Sequence, residues 1–455
     1  MSIFLINPPP VQRVEKDDRP DYPHIGLGYL ASALKKKDII CDVIDAKLER
    51  IDIPEIVKRI IDKKAEIIGI TAMTHEIRQA AKTAQEIKKI NPHIFIIIGG
   101  VHATILPKET LETLPVFDMV ILREGEYSFP QVIRAIKNKA NFSEIEGIAF
   151  RNKQEIICTP NREWIADLDS LDFPLWDIFP RAKSYPLLTT RGCPFQCIFC
   201  MRPYGNIVRE RSVENVVEEL EQTVTKFKPK TINFYDETFG VNKNRAFDIM
   251  NSIIKRGLHQ KVKWYAYTNV NVADFDLIKK MKEAGCYMVG FGAESGNEKI
   301  IKRIKKNINL DKLKQLVDYA KKLEMITQAY FILGHPYENI KTANDTINFA
   351  SSLNSSLTAI GIMVPYPGTQ IYEMAVKGEG GYRLISNDWQ DFNKQIGNAL
   401  ELDSLTRAEL EKLQLKGYLK VYLDNLRILD FLKFCFHYRR EGFSFLKKRI
   451  RDFFS

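Results

Sequence analysis

Along the first 140 positions the apolar residues come in short runs rich in β-branched side chains, Ile3–Ile6, Ile39–Ile44, Glu66–Thr71, His93–Ile98 and Met119–Leu122. Runs of this length predict buried strands. Between them, near 26–36, 53–63, 75–90, 107–113 and 127–137, apolar positions recur at helical spacing. Strict alternation of strand and helix with short connections predicts an α/β unit, a parallel doubly wound sheet of the flavodoxin or Rossmann kind. Ligands of such sheets bind beyond the carboxyl ends of the strands, at a switch point in strand order. The polar and glycine residues gather there: Asn7, Asp45, Thr71 with Met73, Thr74 and His75, Gly99 and Gly100 with His102, and Glu124 with Gly125 and Glu126.

The pattern breaks over 141–185, which reads as a small hairpin near residue 150 followed by a proline-punctuated linker. From 186 to 385 the alternation resumes, with strand candidates Leu187–Thr190, Thr231–Tyr235, Lys263–Tyr267, Met288–Gly292, Thr327–Ile332 and Ala359–Met363. Six such units predict a partial, TIM-like (β/α)6 barrel with its chemistry at the carboxyl ends of the strands. Those ends carry Asp236 and Glu237, Asn269, Glu294 and Ser295, and then Gly334-His335-Pro336. Residues 386–455 are expected to be a helical, basic cap.

The bulk properties narrow the field. A chain of 455 residues, 45% hydrophobic and 27% charged, is long enough for two or three cores and shows no low-complexity tract. The first ten residues lack a basic stretch and a cleavage site, and no run of about 18 apolar residues occurs, so a cytoplasmic protein is expected. Net charge is +10, but residues 427–455 hold eight Lys or Arg against three acids, half of that excess. The remainder is only mildly basic, which argues against nucleic acid as a general partner. The tail also interleaves Phe431, Phe436, Phe443, Phe445, Phe453 and Phe454 with its cations. That composition suits a helical cap first, and second a peripheral contact with the inner face of a membrane or with a lipid-linked substrate.

The most specific chemistry lies in one loop, where Cys193, Cys197 and Cys200 form a CxxxCxxC triad. Three thiolates can hold three irons of a [4Fe–4S] cluster and leave the fourth open. A structural zinc site would need a fourth cysteine, Cys158 or Cys286, and the second knuckle typical of such sites is missing. Four of the seven cysteines are scattered, unlike a disulfide framework.

At this triad the chain resembles the radical S-adenosylmethionine (SAM) enzymes. The resemblance implies that SAM chelates the open iron and is cleaved reductively to a 5′-deoxyadenosyl radical. It implies that Phe199 packs near the adenine, and that Asp236, Glu237, Asn269, Glu294 and Ser295 contact the rest of SAM. An external donor such as flavodoxin or ferredoxin would supply the electron. With Pro23–Leu30, the N-terminal rim resembles the cobalamin-binding domain that precedes many radical SAM cores. On that resemblance Asn7, Asp45, Thr71, Met73, Thr74, Gly99, Gly100, His102, Glu124 and Gly125 line cobalamin. One departure stands out: where related domains carry Asp-x-His-x-x-Gly, this chain reads Asp45-Ala-Lys47-Leu-Glu-Arg50. A protonated lysine offers no lone pair, so base-off cobalamin without a histidine ligand is expected.

The resemblance implies a cobalamin-dependent radical SAM methyltransferase acting on an unactivated carbon, or phosphorus, of a small or lipid-like intermediate. The alternative is an oxidative cyclase or a rearrangement enzyme with the same cofactors. A tRNA methylthiotransferase would carry three more cysteines in its N-terminal domain, where only Cys41 occurs.

Overall fold

In the computed structural model, residues 2–10, 20–153, 155–393 and 398–437 are described. The first sheet contains β1 (Ile3–Asn7), β2 (Asp42–Asp45), β3 (Ile67–Thr71), β4 (Phe95–Gly99), β5 (Met119–Ile121), β6 (Ile148–Asn152) and β7 (Glu155–Cys158). Their order is β2-β1-β3-β4-β5-β6-β7. The first five strands are parallel, and β6 and β7 are added antiparallel. Both faces of β1 are buried: Leu5 joins one apolar core, while Phe4 and Ile6 join the other. A strand covered on both sides must be apolar throughout, which is why these runs lack alternation. The switch point falls between β1 and β3, whose connections leave to opposite sides.

The hairpin β6–β7 extends the first sheet and is not part of a separate linker. Its registry with β5 pairs Met119 with Phe150 and Ile121 with Ile148. The linker proper begins after Cys158, and Trp176 on it is buried against the helix Ile25–Lys35. A Cβ at Gly28 would come within 2.6 Å of the Trp176 ring, so glycine there permits the close approach of helix and linker.

The second sheet is open and wholly parallel. It comprises β8 (Ser184–Leu187), β11 (Thr231–Phe234), β12 (Lys263–Thr268), β13 (Cys286–Glu294), β14 (Ile326–Leu333) and β15 (Leu357–Ile362), in the order β15-β14-β13-β12-β11-β8. Between β8 and β11 lie the two-residue strands β9 (Thr190–Arg191) and β10 (Arg209–Glu210). Along β12 the residues Trp264, Ala266 and Thr268 are buried, while Tyr265 and Tyr267 are half-buried. Trp264 packs against Phe234 and Phe239, with ring centroids 4.5 and 5.5 Å away. That face meets the helices, and the tyrosine face is the concave interior.

Helix begins later in the C-terminal region than its sequence suggests. Tyr382–Leu384 (β16) and Leu400–Leu402 (β17) pair antiparallel, and the 3-10 turn Trp389–Asp391 falls between them in sequence. The helix Arg407–Leu423 follows, started by a Thr406–Glu409 capping box. It lies along β15, where Gln414 donates to the Ile360 carbonyl at 2.7 Å. The helix Ile428–His437 projects from it with Leu429 and Phe436 largely exposed. The basic, aromatic stretch 438–455 is outside the described residues.

Candidate functional site

Backbone geometry fixes the cysteine loop first. Strands β9 and β10 pair antiparallel, Arg191 opposite Arg209, and close residues 192–208 into a stapled loop. Gly192 has φ +100°, and a Cβ there would lie 2.1 Å from the Ile207 carbonyl oxygen, so only glycine fits. The Cys193 amide donates to the Gly205 carbonyl at 3.3 Å, and Ile198 donates to Ile304 at 3.2 Å, seating the loop on the barrel.

Cys193 and Cys200 are accessible and Cys197 is buried. Burial pushes the Cys197 thiol up to about 11, while the Lys306 ammonium pulls it down. Cys193 and Cys200 both act electrostatically on Cys197, so the three sulfurs share one patch. Neither spare cysteine can complete a zinc site with them. The Cys286 thiol is buried in β13 and donates to the Met288 carbonyl at 3.2 Å. Cys158 ends β7 beside Lys108, Glu109 and Glu112. Among the described residues, no three His, Cys, Asp or Glu side chains are close enough to hold a single metal ion. A cluster that gives each thiolate its own iron asks for sulfurs set further apart.

Around the triad, the carboxyl ends of the barrel strands separate residues that face the loop from residues that hold it. Asp236 is tied into the entry of the loop. Its oxygens accept from the Thr189 amide at 2.6 Å, the Thr189 hydroxyl at 2.5 Å and the Thr190 amide at 3.1 Å. It braces the entry to the cysteine loop. Ser295 is fully buried, bonded to the Thr346 hydroxyl at 2.9 Å, and accepts from the Asn297 amide at 3.1 Å. It prepares the start of the helix Glu298–Arg303.

Glu237 is different. Its carboxylate takes the Gly192 amide, burial pushes it up to about 7, and its buried Oε2 has no partner among the described residues. An acceptor already desolvated and one bond short suits an ammonium group. Glu294 sits at a bulge in β13 with φ +63°. Its Oε1 lies 3.1 Å from Lys306 Nζ. Asn269 is buried, its side-chain oxygen accepting from the Asn271 amide at 2.9 Å. Phe199 packs against the core with its ring 6.3 Å from that of His335. Burial lowers His335 to about 4, and its Nε2 stands 3.2 Å from the Glu294 carbonyl.

Sequence reasoning missed Lys306. Nothing in Ile304-Lys305-Lys306-Asn307 marks one lysine as buried beside Glu294 and the cysteines. A structural signal is Gly292, where a Cβ would come within 2.7 Å of Lys306 Nζ.

On the N-terminal rim, Asn7 donates to Asp45 at 2.8 Å, and Asp45 also accepts from the His24 amide at 2.9 Å. Asp45 is thus taken up in tying β1, β2 and the following turn together. Lys47, at the place of the histidine in related domains, is paired with Glu76. Glu76 also accepts from the Met73 amide at 3.1 Å. Thr71 ends β3, Thr74 is buried, and Met73 between them is 44% exposed, an apolar side chain left on the rim. Gly99 ends β4. Gly100 has φ +95°, and a Cβ would stand 2.7 Å from the Ala72 carbonyl oxygen. His102 is buried with no partner among the described residues for either ring nitrogen, and burial lowers it to about 4. Its ring meets Trp389, centroids 4.5 Å apart. Open backbone, an exposed methionine and an unsatisfied imidazole fit a large, partly polar flat ligand.

On the same rim, Glu124 is bound to the cysteine loop. Glu124 accepts from Arg191 at 2.7 Å, from Arg209 at 2.8 Å and from the Ile165 amide at 2.8 Å. Glu126 takes the other Arg191 nitrogen at 2.7 Å. Gly125 faces Ile121 and Leu30, each 3.1 Å from a Cβ placed there, and is a packing glycine. Tyr29 and Tyr204 lie under the Arg191 guanidinium at 4.8 and 5.4 Å. These residues join the first sheet to the cysteine loop.

Comparison with known proteins agrees with both halves. Residues 18–133 match the B12 binding domain family and residues 187–350 match the radical SAM superfamily. The chain is 32% identical to an uncharacterized methyltransferase of Pyrococcus horikoshii over 93% of each chain. It is 26% identical to the anaerobic magnesium-protoporphyrin IX monomethyl ester cyclase of Cereibacter sphaeroides, over 94% of this chain and 70% of that one. Its fold is similar to that of the radical SAM methyltransferase TsrM from Kitasatospora setae, solved with cobalamin and a [4Fe–4S] cluster. That match has a TM-score of 0.73 at 14% identity and covers 93% of this chain and 88% of that one. With a B12-binding sheet and a cysteine-loop barrel locked into one body, the chain belongs to the cobalamin-binding radical SAM enzymes, which work with a [4Fe–4S] cluster, SAM and cobalamin.

Proposed function

We propose that this enzyme methylates an unactivated carbon, or phosphorus, of a small or lipid-like molecule. The observation that carries the reading is the buried Arg191–Glu124 contact, which holds the cysteine loop against the rim of the first sheet. When bound, SAM with the cluster supplies a hydrogen-abstracting radical, and cobalamin supplies the methyl group. This chain's residues do the rest. Cys193, Cys197 and Cys200 would each ligate one iron. Glu237 would hold the SAM ammonium through its free oxygen, and Glu294 with Lys306 would flank the ribose and carboxylate. Phe199 would lie against the adenine, and the Asn269 backbone turn would close the pocket.

On the corrinoid side, Met73, Gly99, Gly100 and His102 would line the ring or its nucleotide tail. The Lys47–Glu76 pair supports a base-off state, because a lysine bound to a carboxylate has no lone pair for cobalt. Cyclisation with the same cofactors is the second reading, favoured by the similarity to the magnesium-protoporphyrin cyclase. An external one-electron donor of the flavodoxin or ferredoxin type would reduce the cluster. Among the described residues no helix is long and apolar enough to cross a membrane. Peripheral contact would fall to the exposed Leu429 and Phe436 and the basic tail beyond them.

The deciding experiment is anaerobic reconstitution with iron, sulfide and cobalamin, followed by SAM carrying an isotopic label on its methyl group. Label in the corrinoid fraction, with an equal amount of S-adenosylhomocysteine, is expected. A bound, reduced corrinoid that never takes up label would exclude methyl transfer and leave the cyclase reading.

A further inference from the structure

The concave face of the second sheet is built unlike its helix-covered face. On the central strand β13 it presents Gly290 and Gly292, and on β15 Ala359 and Gly361, so neighbouring side chains lie directly on the backbone there. A Cβ at Gly290 would come within 2.2 Å of the Tyr267 ring, which shows that this ring lies across the floor. The walls are phenols. Tyr265 stands 6.1 Å from Tyr267 and 6.0 Å from Tyr287, and Tyr267 stands 5.7 Å from Tyr330. Tyr22, from the segment after the described end of β1, closes on Tyr235 at 6.0 Å.

The phenols satisfy one another: Tyr330 donates to Tyr267 at 3.1 Å, and Tyr267 donates to Gln328 at 3.3 Å. Burial holds Tyr22, Tyr265, Tyr267 and Tyr330 well above the ordinary tyrosine value, so they stay neutral. Two polar groups on the same face are left over. The amide oxygen of Asn233, 3% exposed, and the hydroxyl of Ser184, 2% exposed, have no partner among the described residues. Asn233 lies opposite Tyr265 in the β11–β12 register, within the chamber. Charge is confined to the ends. Glu237, Glu294 and Lys306 lie at the carboxyl ends of the strands, and the exposed Asp21 and Lys263 lie at the other.

We propose that this chamber receives the substrate, and that the substrate presents to it a neutral, flat, unsaturated or aromatic moiety bearing one O–H or N–H donor. This rests on the methyl-transfer reading for what happens to the moiety, but not for its binding. Aromatic walls favour a π-surface in offset or edge contact. A charged group would be desolvated with no counter-charge in reach. The Asn233 oxygen is an acceptor waiting for a donor, and a ligand that lacks one leaves it unpaired.

The test uses three matched probes, 1-naphthalenemethanol, 1-naphthoate and 1-naphthylmethylammonium, titrated into the anaerobic holoenzyme and followed by ligand-observed NMR. The alcohol is expected to bind about tenfold more tightly than either ion. Tyr330→Ala should weaken the alcohol several-fold, roughly by what an aromatic pair is worth, while Tyr330→Phe keeps it. Asn233→Leu should abolish its advantage over 1-methylnaphthalene. Tighter binding of either ion, or alcohol binding untouched by Tyr330→Ala in protein with full iron content, overturns the proposal. Should Tyr330→Ala lose its iron, Tyr265→Ala takes its place, and the order of the three probes on the unaltered enzyme decides independently. Probe binding needs no turnover, so it can fail while SAM label still reaches the corrinoid, and the reverse.

Discussion

Arg191 and Glu124 meet at 2.7 Å with both side chains 3% exposed, two residues before the first cysteine of the cluster loop on one side and at the end of β5 on the other. A guanidinium held by two carboxylates over two tyrosine rings is well compensated, but each member depends on the rest. The contact makes one rigid element of what the sequence presents as two domains.

Substituting Arg191 by Met should leave Glu124 with Arg209 alone and Glu126 unpaired. Removing one partner of a buried pair costs about 3–5 kcal/mol. The expected outcome is a lower midpoint of chemical unfolding together with loss of iron, because the loop base is displaced. Arg191→Met protein with normal stability and one full cluster would show that the contact holds nothing.

Glu237 should make SAM binding depend on pH. Its carboxyl is raised to about 7, so below that value it is protonated and loses the charge that attracts an ammonium. SAM affinity, measured by equilibrium dialysis on the cluster-loaded enzyme, should fall as pH drops from 8 to 6, and Glu237→Gln should flatten the profile. For stability the sign is opposite. An acid raised on folding favours the folded state while protonated, and that contribution is lost as pH rises from the ordinary carboxyl range through 7.

Lys306→Met should strand Glu294 as a buried carboxylate without its cation. The cost expected is again about 3–5 kcal/mol in unfolding free energy. The same variant should shift the cluster to a more negative midpoint potential, since a nearby positive charge favours the added electron. An unchanged potential in spectroelectrochemistry would remove Lys306 from the neighbourhood of the cluster.

The cysteines should divide cleanly. Replacing Cys193, Cys197 or Cys200 by Ala should abolish most of the iron and the charge-transfer absorbance of the anaerobic protein. Cys286→Ser and Cys158→Ser should retain both, because one thiol is enclosed in β13 and the other lies at the far end of β7. Loss of metal in Cys158→Ser would revive a four-cysteine site.

Much of the fold and the centre of the site can be read from local pattern. Buried parallel strands must be apolar over their whole length, and helices between them must repeat every three or four residues, so β1 to β5 and their helices are visible one element at a time. The spacing of Cys193, Cys197 and Cys200 is equally local, because a few residues of one loop carry three ligands. What only the tertiary structure decided is which polar residue at a strand end faces a ligand and which faces another strand. Asp236 and Glu237 are neighbours of like charge, yet one is bonded to Thr189 and Thr190 while the other keeps an oxygen unpartnered among the described residues. Glu124, on the rim, is also half of an interdomain lock, and Lys306, which no motif marks, is paired with Glu294 and largely covered. Those outcomes depend on partners 67 and 12 residues away, and a hydrogen bond across such a separation leaves no trace in periodicity or composition.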